Sequence, residues 1–97
     1  MVAAGEDHSL ALKTDGTLYA WGDDVDGQLG NGTAGDYTMP TQIGSADDWV
    51  AIKAGDSTSR AVKEDGTLWG WGANSDGQIG DGTDYDKESP TQIYLDE

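Results

Sequence analysis

The sequence contains no cysteine and no phenylalanine, and only two of its 97 residues are proline. Without cysteine the chain can form neither a disulfide nor a zinc site with thiolate ligands. Since phenylalanine is absent, the four tryptophans and four tyrosines must supply the aromatic packing. No apolar run approaches the roughly 18 residues of a membrane-spanning helix. No charged segment is followed by an apolar one, so we predict neither a membrane span nor a signal peptide.

Basic side chains are also scarce: five lysines and arginines stand against 19 aspartates and glutamates, which gives a formal net charge of −14. Nucleic acids and anionic membrane surfaces both attract clustered positive charge. Five scattered basic residues cannot form such a patch. We therefore predict that the chain binds neither nucleic acid nor a membrane. A basic protein, in contrast, is a partner that this charge favours.

No set of residues in the sequence suggests catalysis. His8 is the only histidine, and no nucleophile–base pair or phosphate-cradling glycine loop accompanies it. Its counterpart in a second copy of the sequence pattern is Thr58, which favours a structural role at the start of a strand. We predict a protein that is not an enzyme, with no catalytic residue and no cofactor.

Two segments resemble the start of a calcium-binding loop, one from Asp24 and one from Asn74. The glutamate expected twelve positions along such a loop is missing, because Gly35 and Tyr85 stand there. We predict no dedicated metal site. Weak association of cations with the acidic loops remains a minor alternative.

The sequence does contain an internal repeat, with an offset of 50 residues between its two copies. Residues 1–47 align with residues 51–97 without a gap and share 22 identities. A period near 50 with several short strands per unit is typical of propeller blades or stacked arrays, whose units cannot bury their apolar faces alone. We predict two units, residues 1–47 and residues 48–97.

Strand signals are short and repeated, whereas helical periodicity is absent. We predict four strands in each unit, at residues 2–4, 9–13, 17–21 and 41–43 and again at 49–54, 59–63, 67–71 and 91–94. Asp15-Gly16 and Asp65-Gly66 predict tight hairpins, because glycine accepts the positive φ that such turns need.

Alternation along these strands leaves both faces largely apolar. Leu18 and Ala20 point one way, whereas Tyr19 and Trp21 point the other. A sheet with one solvated face would alternate with polar residues instead. The pattern favours all-β architecture with two four-stranded antiparallel blades, each covered on both faces. A small sandwich of two sheets is the alternative.

In an up-and-down sheet, alternate loops lie at the same edge. The first and third loops of each unit therefore share an edge that is rich in acidic residues. We predict this edge as a possible partner-binding face, formed by Glu6, Asp7, Asp23, Asp24, Asp26, Asp56, Asp76, Asp81 and Asp84. A solvated surface that favours solubility is the alternative for the same residues.

The order and spacing of the repeated motifs resemble the repeat of the regulator of chromosome condensation, over essentially the whole chain. The resemblance rests on Ala4-Gly5, His8-Ser9, Asp15-Gly16-Thr17-Leu18, Trp21-Gly22, Gly27-Gln28-Leu29-Gly30 and Pro40, and on their counterparts 50 residues later. It departs at Thr58, where the family prefers histidine, and at Arg60, where Leu10 predicts an apolar residue. We expect Arg60 to pair with a carboxylate of a neighbouring blade or copy.

The resemblance implies a seven-bladed β-propeller in which each repeat supplies one blade's worth of strands. It also implies that the shared motif is structural, while activities reside in loops on the propeller faces. We assign structural roles to His8, Trp21, Gly22, Gly27, Gln28, Gly30, Trp71, Gly72, Gly77, Gln78 and Gly80. For the tryptophans, a platform for a sugar is the alternative.

Two blades cannot close a ring alone, so the chain is expected to associate with itself. The leading hypothesis is a non-enzymatic structural module that self-assembles into a closed homo-oligomeric propeller. Four copies, forming eight blades, are favoured, and three copies, forming six, come second. The second hypothesis is a protein-binding propeller that uses the acidic edge.

Overall fold

The computed structural model describes residues 1–24, 27–30, 32, 37–74, 79–80 and 85–94. Within these residues the secondary structure consists of strands, turns and bends. The eight strands are β1 (Val2–Ala4), β2 (His8–Leu12), β3 (Leu18–Gly22), β4 (Tyr37–Gln42), β5 (Trp49–Ala54), β6 (Thr58–Lys63), β7 (Leu68–Gly72) and β8 (Lys87–Ile93).

The strands form two four-stranded sheets with the same topology. The first sheet has the order β1-β2-β3-β4, the second has the order β5-β6-β7-β8, and every neighbouring pair is antiparallel. The predicted all-β class with two four-stranded antiparallel sheets is therefore confirmed. The predicted boundary after residue 47 falls in the connection between Gln42, at the end of β4, and Trp49, at the start of β5.

The last strand of each sheet, β4 and β8, begins earlier than the sequence pattern predicted. The strand predicted at 41–43 starts at Tyr37, and the one predicted at 91–94 starts at Lys87. Exposed residues dominate the first half of both strands, so their pattern shows no alternation. Each lies at the edge of its sheet, where a proline can be accommodated because the edge has one unpaired side.

The two predicted hairpin turns are confirmed. Gly16 and Gly66 each have a φ of 88°, and the amide of Lys13 donates to the carbonyl of Thr17 at 3.0 Å. The hydroxyl of Thr17 donates to Oδ1 of Asp15 at 2.6 Å, and its amide donates to the same oxygen at 3.0 Å. These bonds lower the pKa of Asp15, because they favour its charged form.

The core lies between the two sheets. Leu10, Leu18 and Ala20 of the first sheet are fully buried in one cluster with Trp49 and Trp71 of the second. The rings of Trp49 and Trp71 lie 6.2 Å apart between centroids. Burial of apolar surface between the sheets stabilises the fold at about 25 cal/mol per Å².

Each sheet has two faces, which we name from their largest side chains. The leucine face carries Leu10, Leu12, Leu18 and Ala20 in the first sheet and Arg60, Val62, Leu68 and Gly70 in the second. The tryptophan face carries Ser9, Ala11, Tyr19 and Trp21 in the first sheet and Ser59, Ala61, Trp69 and Trp71 in the second.

The sheets pack with unlike faces together. The leucine face of the first sheet packs against the tryptophan face of the second, because Leu10, Leu18, Ala61 and Trp71 belong to one buried cluster. The tryptophan face of the first sheet and the leucine face of the second therefore point outward. Trp21 is only half-buried there, whereas its counterpart Trp71 is fully buried.

Candidate functional site

A chain of hydrogen bonds joins the two sheets at their buried junction. His8 Nε2 lies 3.0 Å from Ser59 Oγ, and Ser59 Oγ donates to the backbone carbonyl of Gln28 at 2.7 Å. His8 and Gln28 come from the first unit and Ser59 from the second. All three are buried. The predicted structural residues His8 and Gln28 thus meet at the contact between the units.

The geometry specifies the tautomer of His8. The one hydroxyl proton of Ser59 is donated to Gln28, so Ser59 Oγ must accept a proton from Nε2 of His8. Burial lowers the pKa of His8, although the Thr58 backbone and the carboxylates of Asp23 and Asp7 act in the opposite direction. His8 is therefore neutral at pH 7 and serves as a hydrogen-bond donor between the units.

The lowered pKa of His8 predicts a loss of stability in mild acid. The unfolded chain takes up a proton below about pH 6.5, whereas the folded chain resists it, so the free energy of unfolding falls as the pH drops below that value. One proton allows a slope of at most about 1.4 kcal/mol per pH unit. Urea unfolding between pH 7.5 and 5 measures it.

His8→Thr is the matched control for this pH dependence, because Thr58 fills the equivalent position of the second unit. Gly5 and Gly55 donate to the carbonyls of His8 and Thr58 at 2.8 and 2.9 Å, so the two turns have the same backbone. We expect the variant to fold and to lose the part of the acid slope that His8 causes. An unchanged slope would assign the effect to other groups.

The segment Gly27-Gln28-Leu29-Gly30 extends from the first unit onto the second. A Cβ atom built on Gly30 would lie 2.6 Å from Nε1 of Trp71, so only glycine allows the backbone to cover this indole. Gly32 continues the contact, because its amide donates to the carbonyl of Glu88 at 2.7 Å. The segment spans the junction, which the sequence alone did not indicate.

Among the described residues of the proposed partner-binding face, Asp24 is the one that is buried. It has no exposed area, and its Oδ1 accepts from the amide of Leu29 at 2.9 Å. Asn74 does the same in the second unit, where its Oδ1 accepts from the amide of Ile79 at 2.9 Å. The placement of Asp24 on the partner-binding face was therefore wrong. The bond from the backbone amide to this oxygen closes the loop, and either a charged carboxylate or a neutral amide side chain can accept it.

The shared geometry of Asp24 and Asn74 predicts which substitutions the loop accepts. Asp24→Asn keeps the acceptor for Leu29 and should change the free energy of unfolding by less than about 1 kcal/mol. Asp24→Ala leaves a buried amide without its acceptor and should cost about 1–3 kcal/mol. Urea unfolding of both variants measures the difference. Equal losses would show that the charge of Asp24, rather than its oxygen, stabilises the loop.

The other described members of the acidic set remain at one edge. Glu6, Asp7 and Asp56 are exposed, and Asp23 is half-exposed. The amide of Asp23 donates to the carbonyl of Asp7 at 2.9 Å, which brings the first and third loops of the unit together as predicted. The remaining predicted residues lie outside the described part of the chain, namely Asp26, Asp76, Asp81 and Asp84 of the face and Gly77 and Gln78 of the structural set.

A second concentration of charge lies at the opposite edge. Asp47, Asp48 and Glu64 surround a cleft of about 400 Å³ beside the first hairpin, with Lys13 and Trp49 in its wall. Nζ of Lys63 lies 3.9 Å from Oδ1 of Asp48 and 4.6 Å from the centre of the Trp69 ring, so Lys63 offsets part of the acidic charge at this edge.

Among the residues that the structure describes, no group of three histidine or acidic side chains is arranged to hold a metal ion. In the same part of the chain there is no helix with the length and apolar character needed to cross a membrane.

The repeat pattern described as Regulator of chromosome condensation (RCC1) repeat matches residues 2–28 and 49–78, and a second pattern of the same description matches residues 65–97. Together these matches cover more than half of the chain. The chain belongs to the RCC1 repeat family. The resemblance drawn from the motifs is thereby confirmed.

Several curated proteins share part of this sequence. The ultraviolet-B receptor UVR8 of Arabidopsis thaliana is 43% identical over 47 residues, which is 48% of this chain and 11% of the receptor. The E3 ubiquitin-protein ligase HERC2 of Homo sapiens is 48% identical over 42 residues, which is 43% of this chain and 1% of the ligase. This chain thus corresponds to a small part of each RCC1-repeat relative.

Solved structures match the whole fold of the chain. Prp20p of Saccharomyces cerevisiae matches with a TM-score of 0.89 and 30% identity over 98% of this chain and 25% of Prp20p. Human WBSCR16 matches with a TM-score of 0.82 and 32% identity over 98% of this chain and 25% of that protein. The two sheets are therefore propeller blades of the RCC1 type, and the alternative of a small two-sheet sandwich is not supported.

Proposed function

We propose that this RCC1-repeat chain is a non-enzymatic structural module that completes a closed propeller by associating with copies of itself. One observation carries the proposal: each outward face is the repeat counterpart of a face that is buried inside the chain. Leu68 is half-exposed on the second sheet, whereas Leu18 at the same position of the first sheet is fully buried. The chain thus exposes one tryptophan face and one leucine face, and faces of these two kinds pack together in its internal junction.

The size of the uncovered faces supports association. A four-stranded face with strands of about five residues spans on the order of 300 Å². Leaving it uncovered forgoes roughly 8 kcal/mol at about 25 cal/mol per Å² if it is mostly apolar. The total stability of a typical small domain is only about 5–15 kcal/mol. Covering both faces therefore raises the free energy of unfolding by an amount comparable with the whole stability of a small domain.

Ring closure restricts the number of copies. Units of two blades close only even-numbered rings, and a contact between unlike faces is satisfied throughout only when the ring closes. Eight blades need a rotation of about 45° per blade and six need about 60°, against about 51° for seven blades. The tetramer requires the smaller change, so we favour it over the trimer.

Light scattering coupled to size exclusion tests the proposal. We expect a particle of four, or else three, times the 10.2 kDa chain mass. Its apparent mass should fall on dilution, since no covalent bond joins the copies. A well-folded particle of a single chain mass at micromolar concentration would contradict self-assembly.

A second function, binding of a basic protein at the acidic edge, is supported by charge and by the relatives. Glu6, Asp7 and Asp56 are exposed at one edge of a chain with a net charge of −14. Prp20p is described by its binding to Gsp1p and histones, and the yeast RCC1 protein has been solved with Kap60 bound. Protein binding is thus a property of these relatives.

The second function is tested with an arginine-rich peptide titrated at low and high salt. We expect saturable binding that weakens as salt screens the charges. Asp7→Asn with Asp56→Asn should weaken it several-fold. Asp47→Asn with Glu64→Gln removes the same charge from the opposite edge and should change it little. Equal losses in both double variants would indicate a general attraction to the acidic chain and no binding face.

A further inference from the structure

We propose that the leucine face of the second sheet is the docking surface for the tryptophan face of the first sheet of a second copy. Tyr19 of that copy fills the pocket beside Val62 and Leu68, and Trp21 packs under Gly80. The inference rests on the proposed self-assembly and identifies the contact that produces it. Four observations on the described residues support it.

The first observation is a pocket in the middle of the outward leucine face. It has a volume of about 300 Å³ and almost entirely apolar walls, with Lys53 and Arg60 among its lining residues. The walls are formed by Ala51, Ile52, Lys53, Arg60, Ala61, Val62 and Leu68. A concave apolar surface with a few polar groups is typical of a binding site.

The second observation is what covers the equivalent surface of the first sheet. Of the residues 50 positions earlier, Leu10 and Leu18 belong to the buried cluster that contains Trp49 of the second unit. Ala3 and Trp69 pack against the same cluster. Leu10 and Leu18 have no exposed area there. The internal junction therefore shows that this surface packs against aromatic side chains of the tryptophan face. On the outward tryptophan face, which is proposed to dock on the outward leucine face, Tyr19 is the counterpart of Trp69.

The third observation concerns two glycines with nearly the same backbone. Gly30 has a φ of 80° and Gly80 a φ of 87°. A Cβ atom built on Gly30 would lie 2.6 Å from the Trp71 indole, whereas one built on Gly80 would have no neighbour within 4 Å. Gly80 thus has the backbone conformation that allows Gly30 to pack on an indole, but no indole lies next to Gly80. Trp21, the counterpart of Trp71, is half-exposed at the other end of the chain.

The fourth observation is that one outward face carries a cationic side chain and the other an aromatic ring. Arg60 replaces Leu10 on the leucine face, and Tyr19 replaces Trp69 on the tryptophan face. A guanidinium over an aromatic ring is favourable. The chain already has a cation near this ring, since the ammonium Nζ of Lys13 lies 5.3 Å from the centre of the Tyr19 ring. Docking therefore places an additional cation against an aromatic face.

A complementation experiment tests the contact itself. Ala11→Arg places a long cation on the outward tryptophan face, and Val62→Arg places one on the outward leucine face. We expect each variant alone to have the 10.2 kDa chain mass. A mixture should form a particle of twice that mass, because each variant retains the face that the other has lost. Met39→Arg changes a side chain that is exposed on the edge strand β4, and it should retain the wild-type mass.

The outcomes separate this inference from the proposed function. If wild-type protein assembles and both face variants retain its mass, assembly uses another surface and the inference is wrong while the proposed function stands. If the variants are monomeric but do not pair on mixing, the inference is also wrong. If wild-type protein is monomeric, the proposed function fails. Circular dichroism of each variant establishes that it is folded before its mass is interpreted.

A cross-linking experiment provides a readout that does not depend on disrupting a face. Because the chain has no cysteine, two introduced thiols are its only ones. His8 and Ser59 are in contact within one chain, so docking should place Thr58 of one copy beside Ser9 of the next.

A short bifunctional thiol reagent should therefore link Ser9→Cys/Thr58→Cys chains into dimers and larger species. The control His8→Cys/Ser59→Cys should be linked within single chains. Assembled protein in which the first pair gives only monomers would contradict the docking geometry.

Discussion

Replacing Trp71 by alanine is expected to lower the free energy of unfolding by about 3–5 kcal/mol, which is the usual cost of removing a fully buried tryptophan. Trp71 has no exposed area and lies at the centre of the junction, between the rings of the second unit and the Gly27–Gly30 segment of the first. Its loss leaves a cavity that two units line. We expect the urea midpoint to fall far enough to leave the chain partly unfolded at 37 °C.

Trp21→Ala is the matched control, because Trp21 holds the same position in the first unit but is half-exposed. Under dilute conditions in which the chain is monomeric, its unfolding free energy should fall by about half as much as that of Trp71→Ala or less. Under conditions of assembly the difference should shrink, since docking buries Trp21. Equal losses in the dilute monomer would mean that the two tryptophans have the same surroundings.

Gly30→Ala is expected to cost about 2–5 kcal/mol, the second largest effect. Two terms contribute. A residue with a side chain at a φ of 80° is strained by about 1–2 kcal/mol. Its Cβ would also contact the Trp71 indole, and overpacking a tight site costs about 1–3 kcal/mol more. Urea unfolding followed by tryptophan fluorescence reports both the loss and any change around the indole.

Gly80→Ala separates these two terms. Gly80 has a φ of 87° and open space where the Cβ would lie, so alanine there introduces the strain without the contact. The dilute monomer should lose only about 1–2 kcal/mol. A loss as large as that of Gly30→Ala would show that backbone strain alone explains both variants and that the packing on Trp71 is not tight.

The repeated motifs predicted the architecture well because each one has a local cause. The Asp15-Gly16 turn forms through its own side-chain and backbone bonds, and the alternation of Leu18 to Trp21 distinguishes the two faces. The exposed first halves of β4 and β8 could not be predicted, because a strand at a sheet edge with solvent on its sides has no alternation. Their pairing is determined by β3 and β7 and not by their own side chains.

The roles of the loop residues could be predicted only in outline. Asp24 is one of several acidic residues in its loop, and its residue type alone does not distinguish it from Asp23. The alignment of Asp24 with Asn74 was the available signal, because exchange between a carboxylate and an amide suggests a shared acceptor oxygen. Contacts between the units, such as the bond from Ser59 to Gln28, depend on how the blades stack and have no local signature.

The unlike outward faces of the chain also give any assembly a direction. A contact between a leucine face and a tryptophan face repeats with a constant rotation and translation, so the copies form a closed ring only when the translation along the axis is zero. A small axial shift per copy would convert the same contact into an open helical filament whose length grows with concentration. The rotation and axial translation between blades at such a junction, which inside the chain is the contact where Gly30 covers Trp71, therefore decide the outcome. They determine whether the protein forms particles of one size or polymers of many lengths.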